Sequence, residues 1–373
     1  MKKVLVCINS IGGLYSFRME LIQKLLEQKF EVYISAPQGD KAQNFINMGC
    51  YYIDTAIDRR GISPIKDLKL LCHYIKTIKR IAPDIVLTYT IKPNIYGAIA
   101  CRLTKTCNIN TVTGLGSVYI RDIWIKKILI KMNRWAFQNS NLTYFLNADN
   151  ERYYKEIGIL ENKQKTRVVH GSGANLSKFK NVELEDKGYE EFTFIGRILR
   201  DKGIEEYLEC SRRIKCTSPT TIFNLVGSFE EDKYEKIVKE YEKEGIIVYH
   251  GGLDDVRPII ERSTCIVLPS YGEGCGTVLQ EGAAVARPLI SCDTYGCRDN
   301  VQDGYNGYLC KAADADSLEE TMRKFMSLPF EQKKQMGLNS RIKAESEFDR
   351  NVIVQSYLEE IQEIIGTEVN TEK

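Results

Sequence analysis

Twice along this chain, short runs of β-branched and aliphatic residues alternate with longer amphipathic stretches. The first series reads KVLVCI, EVYISAP, DIVLTYT, NINTVTG and LTYFLNA, followed in turn by helical patterns over 17–27, 41–47, 96–105, 122–138 and 151–157. Short apolar runs suit strands and three- and four-residue apolar spacing suits helices, so the alternation predicts βαβ units and a parallel sheet. The second series, EFTFIG, TTIFNLVG, IIVYHGG, CIVLPS, PLISCD and GYLC, predicts a second sheet of the same kind. Between them the acidic, polar KNVELEDKGYE reads as a linker. The expectation is an α/β chain with an N-terminal domain over 1–180, a C-terminal domain over 190–350 and a closing helix over 351–366. A chain of 373 residues fits two cores, at about 150 residues per domain.

With 43% hydrophobic and 27% charged residues the composition is that of a soluble globular protein. No apolar stretch reaches the ~18 to 20 residues that cross a bilayer, and the opening MKKVLVCINSIGGLYSF reads as a first strand rather than a signal peptide. Twelve cysteines without a C-x-x-C pair favour a reducing cytoplasm over a disulfide framework. The net charge of +2 conceals an asymmetry: residues 1–180 carry 28 Lys and Arg against 13 Asp and Glu, the remainder 24 against 37. The basic half suits a polyanionic partner, whether a membrane surface, a diphosphate or nucleic acid. Within it, Arg121, Lys126, Lys127, Lys131 and Arg134 accompany Ile123, Trp124, Ile128, Trp135 and Phe137. That mixture fits a lipid headgroup interface, and equally a core helix with a solvated basic face.

Ligands of open α/β sheets bind beyond the carboxyl ends of strands, where free N–H groups meet the positive end of a helix. One such end is PSYGEGCGTVLQEGAAVARP, with Gly272, Glu273, Gly274, Cys275 and Gly276 on a loop and a helix from Thr277. Gly274 and Gly276 let backbone amides approach an anion closely. Glu281, about one turn into the helix, can accept hydrogen bonds from a ligand's hydroxyl pair, and Glu273 can address a second set. A glycine-rich turn with two solvated carboxylates has the same sequence. In FIGRILRDKGIEEYLE, Arg197 and Lys202 stand at another strand end and read either as a diphosphate clamp or as two surface cations. In NSIGGLYSFRMELIQ, Gly12 and Gly13 precede Arg18 without the G-x-G-x-x-G order, which disfavours a nicotinamide or flavin enzyme. A phosphate or substrate can approach Gly13, or the glycines simply form a tight turn. His73, His170 and His250 lack metal-ligand spacing, and Asp314-Ala315-Asp316 reads as a helix-capping turn.

Gly196-Arg197, Lys202-Gly203, the LVG ending at Gly227, LPSYGEG and the pair Glu273 and Glu281 follow one another in an order that resembles the retaining glycosyltransferases of family 4. The resemblance implies the GT-B fold: two Rossmann-like parallel-sheet domains facing a cleft, with the last helix packing back on the N-terminal domain. It further implies a UDP-sugar donor, carrying an N-acetylhexosamine or hexuronic acid, bound mainly by the second domain. Arg197 and Lys202 would hold the diphosphate, Glu281 the ribose and Glu273 the transferred sugar. The backbone at Gly274, Cys275, Gly276 and Thr277 would line sugar and phosphate, and Gly227 would border the base. No cofactor and no metal are expected.

YTIKPNIYGAIACRL and VTGLGSVY are similar to bacterial members that extend lipid-linked or capsular saccharides. This implies an acceptor saccharide on a polyprenyl (undecaprenyl) diphosphate and a cytoplasmic enzyme peripheral on the anionic inner face of the cell membrane, with no nucleic acid partner. Gly13, Arg18, Arg59, Arg60 and Lys92 are the candidate acceptor contacts, and Thr113 stands where many members carry a histidine. Two other readings remain: a hydrolysing UDP-sugar 2-epimerase of the same fold, and a non-catalytic nucleotide- or polyanion-binding protein.

Overall fold

The computed structural model of the chain describes residues 1–58, 61, 63–114 and 123–366, with the side chains of 123–125 excepted. The chain forms two compact units, one from Met1–Ser172 together with the chain from Asn351 on, the other from Gly173–Arg350. The segment 173–190 therefore belongs to the second unit.

The first unit holds a seven-stranded sheet of β1 (Lys3–Cys7), β2 (Glu31–Ala36), β3 (Tyr51–Asp54), β4 (Ile85–Tyr89), β5 (Cys107–Val112), β6 (Leu142–Phe145) and β7 (Thr166–Val168). All pairs are parallel, in the order β3-β2-β1-β4-β5-β6-β7. The central strands β1 and β4 are almost wholly buried, because helices cover both faces. The order reverses between β1 and β4, which opens a crevice at their carboxyl ends. Between Asn47 and Ile85 the structure adds β3 and the helix Pro64–Ile81, neither among the segments expected from the sequence.

The helix Ile11–Glu27 starts at Ser10, whose side chain accepts from the Gly13 amide at 3.2 Å. It turns Ile11, Leu14, Arg18, Leu21, Ile22 and Leu25 inward. The final helix, Arg350–Ile365, docks on this same unit. Tyr357 stacks on Tyr144 with ring centroids 4.0 Å apart and bonds Thr111 through its hydroxyl at 2.9 Å. Buried Glu360 pairs with Lys165 at 2.7 Å and Arg167 at 3.1 Å.

The second unit holds β8 (Glu191–Ile195), β9 (Ile222–Val226), β10 (Val248–Tyr249), β11 (Cys265–Leu268), β12 (Leu289–Cys292) and β13 (Gly307–Cys310). They form a parallel sheet in the order β10-β9-β8-β11-β12-β13. Phe192, Phe194, Tyr207, Phe223 and Phe325 are fully buried in one core on this sheet. Its order reverses between β8 and β11, which pair directly through Cys265–Phe192 and Ile266–Thr193.

Candidate functional site

Because β8 and β11 are neighbours at this reversal, the loops after them emerge side by side, and these loops carry Arg197, Lys202 and Glu273. Backbone packing fixes the two loops together. Tyr271 N–H donates to Asp201 O at 2.9 Å and Ser270 Oγ to the same oxygen at 3.1 Å. Gly203 has φ of +75°, and an added Cβ there would stand 2.1 Å from Pro269 O. Only glycine fits this contact. Lys202 Nζ then reaches across and pairs with Glu273 Oε1, both side chains being largely buried.

On its other side the glycine-rich loop rests on the turn after β12. Glu273 N–H donates to Tyr295 O at 3.0 Å, and Asn300 Nδ2 to Cys275 O at 3.0 Å and Gly296 O at 2.9 Å. The loop ends at Gly276, in the left-handed region, and the helix Thr277–Ala284 begins there without a capping side chain. An uncapped helix start presents its first-turn amides to an anion. Cys275 Sγ lies 3.2 Å from Thr277 Oγ1, which closes the loop on itself.

Glu281 projects from that helix and is partly buried, with no side-chain hydrogen bond among the described residues. Burial pushes its carboxyl up to about 7, while the Arg350 guanidinium acts in the opposite direction. Arg197 is 54% exposed and weakly paired with Glu230 at 3.6 Å. Its guanidinium is therefore accessible to a ligand's phosphate oxygens. Gly227, at the end of β9, has φ of +152°, and a Cβ there would lie 1.8 Å from Gly196 O. That glycine is set by close backbone packing beneath Arg197.

The first-unit candidates gather at the carboxyl ends of adjacent strands: Gly13 after β1, Lys92 after β4 and Thr113 after β5. Lys92 Nζ bonds Asp67 Oδ1 at 2.6 Å, in a pair that is largely shielded. Arg18, also a candidate acceptor contact, is only 5% exposed. Its guanidinium lies 5.2 Å from the Tyr89 ring centre and 5.6 Å from that of Tyr357, so it pins the final helix to the sheet. Arg59 and Arg60 lie outside the described residues, as do Arg121, Asp122 and the side chains of Ile123 and Trp124.

Sequence reasoning passed over Arg350, Asn300, Tyr295 and Asp67. Each acts through a tertiary contact, and no local spacing announces it. Asp314 caps the helix Ala315–Met326 by accepting from Ser317 N–H at 2.9 Å. Among the described residues no three His, Cys, Asp or Glu side chains are grouped to hold a metal, and no helix is long and apolar enough to cross a membrane.

Comparison with known proteins agrees with this architecture. Residues 176–343 match the family model of the glycosyl transferases group 1, and residues 3–147 that of a glycosyl transferase 4-like domain. The chain is 26% identical, over 95% of its length and 96% of the relative's, to the N,N'-diacetylbacillosaminyl-diphospho-undecaprenol alpha-1,3-N-acetylgalactosaminyltransferase of Campylobacter jejuni. It is 25% identical to the UDP-Gal:alpha-D-GlcNAc-diphosphoundecaprenol alpha-1,3-galactosyltransferase of Escherichia coli, over 82% of this chain and 83% of that one. Among solved structures, HepE of Anabaena in complex with UDP-glucose superimposes with a TM-score of 0.80 at 15% identity, covering 97% of this chain and all of that one. The chain belongs to the family 4 glycosyltransferases, with the GT-B fold. It is accordingly an enzyme that transfers sugar residues.

Proposed function

We propose that the chain moves a sugar from a UDP-sugar to a saccharide carried on undecaprenyl diphosphate, with retention of anomeric configuration and without a metal ion, in surface-glycan assembly. The observation that carries this reading is the convergence of Arg197, Lys202, Glu273 and the helix Thr277–Ala284 at the β8/β11 reversal. Two cations and an uncapped helix start supply positive potential where a departing diphosphate gathers charge. Glu281, one turn further on, accepts from the ribose hydroxyls, and Glu273 from those of an N-acetylhexosamine or hexuronic acid.

In the transfer, the bond between the anomeric carbon and the diphosphate oxygen breaks and the acceptor hydroxyl oxygen bonds that carbon on the same face. The hydroxyl proton passes to an oxygen of the leaving diphosphate. Arg197 and Lys202 stabilise the charge on that group. The two glutamates hold hydroxyls and take no covalent part.

The acceptor reading is supported by the Campylobacter and Escherichia relatives, both named for undecaprenol-linked diphosphate acceptors. The crevice beyond β1, β4 and β5, with Gly13, Lys92 and Thr113, is the acceptor side. A peripheral position on the anionic inner membrane is supported by the helix Ile123–Phe137. Lys127, Ile128, Lys131, Arg134 and Trp135 form an exposed stripe on it, with Ile128 45% and Trp135 41% accessible.

The test is release of UDP from a panel of UDP-sugars with a synthetic polyprenyl-diphosphate sugar, in the presence of EDTA, with product configuration read by NMR. Retained product formed by the wild type and lost in Lys202→Ala and Glu281→Ala supports the proposal. Turnover that needs no acceptor favours epimerase chemistry instead.

A further inference from the structure

In the proposed reading the strand ends of the second sheet lay the donor out in order. Gly227 after β9 borders the base, Arg197 and Lys202 after β8 face the diphosphate, and Glu273 after β11 faces the transferred sugar. The next strand is β12, which pairs with β11 through Ile266 with Leu289 and Leu268 with Ser291. The turn that follows β12 therefore stands at the sugar end of that row, away from the base. None of the residues assigned to the donor so far comes from this turn.

The turn, residues 293–300, is locked to the glycine-rich loop. Thr294 Oγ1 donates to Ser270 O at 3.1 Å, and Glu273 N–H donates to Tyr295 O at 3.0 Å. Gly296, at φ of +69°, leaves Glu273 O a place that a Cβ would fill. The side chain of Tyr295 lies over Gly272, the residue before Glu273. A Cβ added to Gly272 would overlap the tyrosine Cζ and hydroxyl oxygen and stand 2.7 Å from its Cε2. Tyr295 is half-buried, and its hydroxyl has no hydrogen-bond partner among the described residues. The hydroxyl of Tyr271, on the loop itself, is by contrast engaged, donating to Glu206 Oε1 at 2.7 Å. Burial, and after it the carboxylate of Glu273, holds the Tyr295 phenol above the ordinary tyrosine value. At neutral pH it keeps its proton and can donate as well as accept.

We infer that Tyr295 is a specificity-determining residue of the donor site: beside Glu273, its hydroxyl bonds one ring substituent, a hydroxyl or an acetamido group, of the sugar being transferred. This rests on the reading that Glu273 receives that sugar. An ionised carboxylate only accepts, so Glu273 alone takes any substituent that presents an O–H or N–H. The phenol adds a donor, which an acetamide carbonyl or a hydroxyl lone pair can satisfy. A sugar without the matching group leaves that donor unpaired, and polar sites discriminate strongly on such a loss. Packing across Gly272 keeps the ring in register with Glu273.

The test changes the substrate as well as the protein. UDP release is followed for the wild type and Tyr295→Phe with the donor that the wild type turns over best among UDP-N-acetylhexosamines, UDP-hexuronic acids and UDP-hexoses. It is repeated with analogues of that donor, each lacking one ring substituent. Tyr295→Phe, which keeps the ring, lowers kcat/KM for the parent donor about tenfold or more and binds UDP as tightly as the wild type. For one analogue the variant and the wild type become equal, because one partner of the bond is already absent. An equal loss on every analogue, no loss at all, or a fall in UDP affinity as large as the fall in turnover overturns the assignment. Gly272→Ala checks the placement independently, since its methyl group displaces the ring. It lowers kcat/KM in the wild-type background and has a smaller effect in Tyr295→Phe, whereas full additivity overturns the placement. A wild type that turns over no UDP-sugar sinks the transferase reading and Tyr295 with it; wild-type turnover untouched by Tyr295→Phe removes Tyr295 alone.

Discussion

Lys202 and Glu273, which come from loops after different strands, are joined Nζ to Oε1 by a shielded ion pair. In the proposed site the cation belongs to the diphosphate and the carboxylate to the sugar, so donor binding exchanges this pair for two ligand contacts. Each group is kept in place and satisfied until that exchange. Lys202→Ala should lower kcat/KM for UDP-sugar turnover by about 100- to 1000-fold, measured by UDP release. An unchanged rate removes Lys202 from the site.

Glu281 sets opposite pH trends for stability and for binding. Its carboxyl titrates at about 7 in the folded protein against an ordinary value of 4.5, because burial disfavours the charge. Between those values the folded chain holds a proton that the unfolded chain has released, so this group's contribution to stability is lost as pH rises through the window. Glu281→Gln should therefore be more stable than the wild type at pH 8 by about 1–3 kcal/mol, with little difference at pH 4, in urea denaturation. UDP affinity should rise through neutral pH in the wild type and be weak and flat in the variant.

Two glycines separate folding from binding. Gly203→Ala forces a Cβ onto Pro269 O at a left-handed φ, and should cost about 2–3 kcal/mol of stability with loss of activity. At Gly13 an added Cβ meets nothing nearer than 3.6 Å, inside a helix. Gly13→Ala should leave the melting temperature unchanged or raised, and a raised acceptor KM would show that a substrate approaches that backbone. An unaltered KM would confine Gly13 to the turn.

Membrane contact is checked by flotation with anionic vesicles. Reversing charge in Lys127→Glu/Lys131→Glu should reduce recovery with the vesicles about tenfold or more at low salt, and leave UDP affinity unchanged. Recovery that is insensitive to both the substitution and the salt concentration would exclude this stripe as the contact.

The sequence pattern led to the second sheet strand by strand, because β8, β9, β11 and β12 lie inside it and read as nearly unbroken apolar runs. It missed β3 and β7, the short edge strands of the first sheet, whose half-exposed residues carry no such run. The helix Pro64–Ile81 escaped for a related reason: Leu70, Tyr74 and Ile78 face inward, but Ile65 and Leu68 face solvent and blur the one-sided period. Strand-end logic led to Lys202, Glu273 and Glu281. It did not anticipate the burial of Arg18, although the spacing Leu14, Arg18, Leu21, Ile22 and Leu25 already sets that cation in the inward stripe. Arg350 had no local signature, since its partner Gly173 lies at the opposite end of the second unit's sequence.

The docking of Tyr357 against Tyr144 and Thr111 bears on how the chain is made. The second unit is one uninterrupted stretch, complete once Arg350 has left the ribosome, whereas the first to be synthesised must wait for the last helix. Until then the Tyr144 face lacks its stacking partner and, of its two rings, the Arg18 guanidinium has only that of Tyr89 beside it, so during translation the earlier-made unit is the one exposed to chaperones and proteases, and the later-made unit is finished before it.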